Sequence, residues 1–129
     1  MSACGQSLTT VNFKQIELYQ ELIREELVKE LFPALDAWLA DPLDIEKVKA
    51  VLDGIGDTEV VLKGLAYSMG VDPDEIKKRI DISNYSKIPQ GQNQANKRAD
   101  GKILKPATYI PPELDDLAQQ VIDNIAGVK

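Results

Sequence analysis

Histidine is absent from all 129 residues. Its absence removes imidazole acid–base catalysis, Ser-His-Asp triads, most catalytic zinc sites and the Glu-x-x-His motifs of carboxylate di-iron bundles. Cysteine occurs once, as Cys4 in a small, polar N-terminal stretch. No intramolecular disulfide framework can form, and the expectation is a spare thiol on a loose tail, residues 1–10, in a reducing compartment. No apolar run approaches the roughly 20 residues that span a bilayer, and Met1 to Thr10 has no basic segment followed by an apolar one. The expectation is a cytoplasmic protein without membrane association. Basic residues are outnumbered, 15 against 21 acids, which argues against nucleic acid as a partner, because lysine and arginine must replace the counterions a long polyanion releases. Carboxylates, lysines, tyrosines and a hard cation remain as the available chemistry.

What is present is helical periodicity in a chain long enough for one domain with a modest core. From Val11 to about Ala40, apolar residues recur through Phe13, Ile16, Tyr19, Ile23 and Leu27, with Thr9, Thr10 and Asn12 as candidate caps. Pro33 either kinks this helix or opens a short second one. After the Asp41-Pro42 turn, Asp44 can cap a long helix that runs to about Met69 and stops at Gly70. Asp72, Pro73 and Glu75 form a capping-box pattern for a helix ending near Asn84. Residues 86–110 carry no sustained apolar period and contain Pro89, Gly91, Gly101 and Pro106; a loop of this length is a functional candidate. A last helix starts at Pro111 and runs to about Ala126, with Leu114, Leu117, Val121, Ile122 and Ile125 on one stripe. The predicted fold is a single all-α domain, an antiparallel bundle of four to five helices completed by oligomerisation, because the helices carry more apolar surface than one short bundle covers.

Acids interrupt these apolar faces. On a wheel with Ile16 at zero, the inward face of the first helix holds Ile23 and Leu27. Glu30 falls at about 320° and Glu26 at about 280°, so both border or enter that face, whereas Glu25 at about 180° points away. The second helix is apolar almost all round from Val51 to Met69, which predicts burial on most sides, yet it holds Asp53 and Asp57 one turn apart. Two like charges about 4 Å apart repel by roughly 4 kcal/mol at an effective dielectric near 20. A divalent cation relieves that cost, and carboxylates one turn apart suit magnesium or manganese. The bland alternative is a solvated or salt-bridged face. Glu59 and Lys63 illustrate it, and Glu26 with Glu30 could find it through Arg24 or Lys29; Asp53 and Asp57 have no such neighbour in sequence. The long loop has the opposite sign, with Lys87, Lys97, Arg98, Lys102 and Lys105 against Asp100 alone. An acidic, cation-holding core beside a lysine-bearing loop suits a polyphosphate.

The stretches LIREELVKEL (22–31), LDGIGDTEVVLKGLAYSMGVD (52–72), SNYSK (83–87) and DGKILKPATYIPPEL (100–114) resemble MazG-type and related all-α nucleoside triphosphate pyrophosphohydrolases in content and order. The resemblance covers most of the chain after Val11. It implies that Glu26, Glu30, Asp53 and Asp57, with Glu25 as a further candidate, hold two or three Mg2+ ions, which Mn2+ can replace. Asn84, Lys87, Lys102 and Lys105 would hold the phosphates, and water would attack between the α- and β-phosphates to release a nucleoside monophosphate and pyrophosphate. Glu26 or Glu30 is the candidate general base, since no histidine is available. Tyr109 and Trp38 are candidates to stack on the base, against the simpler role of packing residues. Two departures stand out: the usual Glu-Glu-x-x-Glu has Lys29 at its last position with Glu30 one residue later, and the usual Glu-x-x-Asp has Gly54 in place of its Glu. Relatives of this kind adjust or clean the nucleotide pool in bacteria and phages, some by removing dGTP, so a purine-selective (d)NTP substrate and a dimer or tetramer are expectations. The rival from another class is a non-catalytic helical oligomer acting as an interaction module or nucleotide-binding regulator.

Overall fold

The computed structural model describes residues 11–127. The tail 1–10, with Cys4 and the candidate caps Thr9 and Thr10, lies outside them. The helix opens at Asn12, whose side chain accepts from the Gln15 N–H at 3.1 Å. It runs as α1 (Phe13–Arg24), a π-helical turn (Glu25–Leu31) and α2 (Phe32–Ala40). Pro33 stands in the first turn of the short helix α2, the second of the two expected placements, and that helix follows the π turn without a gap. The π turn ends directly before Phe32 and Pro33. Asp44 caps α3 (Ile45–Ser68) as its spacing predicts, accepting from Glu46 N–H at 2.9 Å. Gly70 ends that helix in the left-handed region, with φ at 78°, and Val71 N–H returns to the Ala66 carbonyl at 3.0 Å. Asp72 caps α4 (Pro73–Tyr85) by accepting from Asp74 N–H. The reciprocal half of the expected capping box does not form, because Glu75 takes Arg79 one turn on, at 3.0 Å. The last helix, α5 (Asp115–Gly127), starts later than the Pro-Pro signal suggests.

The first helical arm packs antiparallel on α3. Asn12 N–H bonds the Ser68 carbonyl at 3.1 Å, the Tyr19 ring lies directly on Gly64, and Leu31 covers Gly54. A methyl group at Gly54 would sit 3.0 Å from Leu31 Cδ1 and 3.4 Å from its Cα; one at Gly64 would fall within the Tyr19 ring. These glycines let the helices approach. Thr58 and Ser68 donate to the carbonyls of Gly54 and Gly64, at 2.7 and 2.9 Å, so the hydroxyls buried beside them are satisfied.

The buried apolar core consists of Val11, Val51, Val61, Ala66, Val71 and Leu117. The expectation that α3 is buried on most sides fails: Leu52, Ile55, Val60 and Leu62 are 47–65% exposed. A single helical arm covers one face of α3, and α4 touches it only sparingly. Arg79 clasps α5 to α4, with its guanidinium bidentate on Asp116 at 2.6 and 2.9 Å and on the Glu113 carbonyl at 2.8 Å. Of the predicted α5 stripe, Leu117 is buried, Leu114 and Val121 are half-buried, and Ile122 and Ile125 remain exposed.

The segment between α4 and α5 has order of its own. Ser83 donates to the Ile110 carbonyl at 2.7 Å, and Ile110 N–H donates to Ser86 Oγ at 2.8 Å, pinning the loop's end to α4. Within it, Arg98 and Lys102, then Asn96 and Leu104, pair by backbone bonds of 2.7 Å around a turn at Asp100 and Gly101, where φ is 90°. Among the described residues the only β feature is the bridge Lys97 to Ile103, and the fold is all-α. No helix is long and apolar enough to cross a membrane.

Candidate functional site

The register of the antiparallel pair determines which acids meet. Tyr19 sits on Gly64 and Leu31 on Gly54, so twelve residues of the first arm run against ten of α3, and Glu26, between the two anchors, comes level with Asp57 and Thr58. Glu30 and Asp53 stand beside Leu31 and Gly54, at the same end of the pair. The electrostatics follow the same order. Glu26 has its carboxyl pKa raised above the usual 4.5 by partial burial first, then by the charges of Asp57, Glu30, Asp53 and Glu25. Glu25 acts last and is exposed, in line with its outward position on the wheel.

Only Glu26 is half-buried; Glu30, Asp53 and Asp57 are exposed on the flank of the helix pair. Among the described residues none of the five acids takes an ion pair. Arg24, one cation that could have neutralised Glu26 and Glu30, bonds Glu21 at 3.4 Å. Glu59 and Lys63, by contrast, do pair at 3.1 Å. Gly54, in the slot where the resembling family carries a glutamate, is buried under Leu31. A carboxylate there would point into the helix interface, which leaves Asp53 and Asp57 as the acids of α3 that reach the flank. Unpaired carboxylates from two helices are the donors a hard cation takes. Among the described residues no three of them converge on one point as they stand, so holding one ion in common requires rotation of these exposed side chains.

The loop candidates gather elsewhere. Asn84 is exposed near the end of α4, and Lys87 is half-buried just beyond it. Lys105 lies over the Tyr109 ring, 4.8 Å from its centroid, and the Tyr109 hydroxyl is 3.4 Å from Ser83 Oγ. Lys102 stands exposed in the small hairpin, where its N–H bonds Asp100 at 3.1 Å. The segment's contacts thus run to α4 and within itself. Trp38 belongs to neither group: its indole N–H donates to the Pro42 carbonyl at 3.2 Å and braces the α2–α3 turn. Ser83, Ser86 and Arg79 lie outside the acid and lysine patterns that mark the candidate residues in the sequence. The SNYSK spacing places both serines on one side of a helix end, a readable signal, whereas nothing local links Arg79 to Asp116.

A groove of about 500 Å3 separates α3 from α4, with Leu62, Ala66, Ile76 and Ile80 as its floor and Glu59, Lys63 and Lys77 at its rim. It is apolar and carries no reactive constellation. No protein-family model matches the chain, and no curated protein matches it.

Proposed function

We propose that this protein is a Mg2+-dependent pyrophosphohydrolase that converts a (d)NTP to the monophosphate and pyrophosphate. The observation that carries the reading is the flank where Glu26 feels the charges of Asp57, Glu30 and Asp53, with no cationic side chain paired to them among the described residues. Like charges crowd the half-buried Glu26, and a bound cation would relieve that crowding. Glu26, Glu30, Asp53 and Asp57 would hold two or three Mg2+ ions, with Mn2+ able to replace them and Glu25 at the edge. The ions, when bound, would neutralise the phosphate oxygens and acidify water. The protein's own part is to place the nucleotide and accept the proton. Glu26, whose pKa is raised by partial burial and by the neighbouring carboxylates, is the better general base, with Glu30 beside it. The water oxygen bonds to the α-phosphorus as the bond to the bridging oxygen breaks, and pyrophosphate leaves. Asn84, Lys87, Lys102 and Lys105 would bind the phosphates, and Tyr109 would meet the base or sugar more readily than Trp38, which is engaged in a turn. A purine such as the base of dGTP is the first substrate to try.

A second copy of the chain is part of this reading, as a dimer or tetramer. Leu39, Leu43 and Ile45 at the α2–α3 turn are 70, 95 and 70% exposed, and such surface is ordinarily covered by another helix face. The same residues favour the alternative of a non-catalytic interaction module. Incubation with each canonical NTP and dNTP plus Mg2+ or Mn2+, with product separation, decides between them. Monophosphate with pyrophosphate supports the enzyme; no hydrolysis of any of them supports the module. Sedimentation tests the oligomer.

A further inference from the structure

The inward positions of the first helical arm keep a fixed rhythm with one interruption. Half-buried residues fall at Gln15 and Ile16, Tyr19, Leu22 and Ile23, Glu26 and Leu27, then at Leu31, Ala34 and Leu35, and Trp38. The exposed gaps between them span two residues at 17–18, 20–21, 24–25, 32–33 and 36–37, but three at 28–30. A regular helix of 3.6 residues per turn would instead continue the stripe at 30, 33 and 34, and 37. One surplus residue is what an i→i+5 turn absorbs, and Phe32 N–H reaches back five residues to the Leu27 carbonyl across this gap. The slip brings Leu31 onto Gly54. It also removes Glu30 from the position at about 320° that a uniform wheel assigns to it, inside the interface. Glu30 is exposed, yet close enough to Glu26 for its charge to be felt there.

We infer that the π turn is a one-residue insertion that rotates Glu30 out of the α1–α3 interface onto the flank shared by Glu26, Asp53 and Asp57, making the turn the positioning element of that carboxylate. The insertion claim stands on packing alone; the purpose assigned to Glu30 rests on the proposed metal-dependent activity. Removing one residue from the three-residue gap leaves the stripe in phase. Removing one from a two-residue gap throws every later inward residue off α3.

The test compares deletion of Lys29 with deletion of Gln20, both exposed, by circular dichroism melting. Deletion of Lys29 should keep the helix content and the melting midpoint, whereas deletion of Gln20 should lower the midpoint by roughly 10 °C or more. Equal damage from both deletions overturns the insertion. In parallel, Mn2+ binding to the full chain is measured for wild type, Glu26→Gln and Glu30→Gln. Both substitutions should weaken it by about tenfold or more. Weakening by Glu26→Gln alone overturns the role of Glu30 while sparing the metal reading. Absence of Mn2+ binding by the wild type overturns that reading and the role of Glu30 together, and the melting comparison still decides the insertion.

Discussion

The pairing of the first arm with α3 and the pairing of α4 with α5 are built on opposite principles. In the first, glycines admit Tyr19 and Leu31 to close contact, apolar packing supplies the cohesion, and like charges accumulate uncompensated on the flank. In the second, one guanidinium satisfies Asp116, Glu75 and the Glu113 carbonyl, so the charges that Arg79 touches are compensated. A packing interface can hold unbalanced charge because its stability comes from elsewhere. A polar clasp cannot, because the charges are the attachment. Uncompensated and compensated charge thus divide between the two regions.

The largest effect expected from the proposed activity comes from removing charge on the flank of the first arm and α3. Asp57→Asn should lower turnover by at least about 100-fold while leaving the helical spectrum unchanged; full activity in that variant would end the assignment of Asp57. Next in size is Gly64→Ala, whose methyl group collides with the Tyr19 ring. It should destabilise by about 1–3 kcal/mol in denaturant titration, and the further variant Tyr19→Leu should recover part of the loss. On the other side of the comparison, Ser83→Ala removes a buried hydroxyl that donates to Ile110 at 2.7 Å. Its cost should be about 1 kcal/mol, with faster tryptic cleavage at Lys97 and Arg98 as the loop's anchor loosens.

The subtlest contrast is in pH. Arg79 holds the Asp116 carboxyl at a pKa of about 2, below its usual 3.8. In the window between those values the unfolded chain binds more protons than the folded one. The clasp's contribution is thus complete above the usual value and is lost as pH falls toward about 2. Glu26 runs the other way. Its raised pKa means that the folded chain binds more protons, so stability declines as pH rises from 4.5 through the raised value. With chelator present, Glu26→Gln should melt at a higher temperature than wild type above that window and at the same temperature below it. Asp116→Asn should flatten the acid limb instead. Matching pH profiles for the two variants would erase the distinction between the two regions.

Much of the scaffold was legible in local chemistry. Asp44, Asp72 and Gly70 mark helix ends through bonds with residues two to four positions away, and they do so in the structure. The all-α class and the acid and lysine segments were readable for the same reason. Three features escaped. The surplus residue at 28–30 was invisible to a wheel that assumes a constant turn, so Glu30 was placed inside the apolar stripe. The exposure of α3 depends on how many neighbours the chain can wrap around it. The Arg79 clasp joins residues 37 apart, beyond any local pattern.

By itself the sequence determined the inventory: helices with their caps, no histidine, more acids than bases, and a lysine-bearing segment between the last two helices. These follow from backbone propensity and side-chain chemistry, which act over a few residues. Which acids share a flank was decided only by tertiary structure. Tyr19 on Gly64 and Leu31 on Gly54 set the register of two helices, and the π turn sets the phase of one of them. Both are packing solutions that exist only once the helices are in contact.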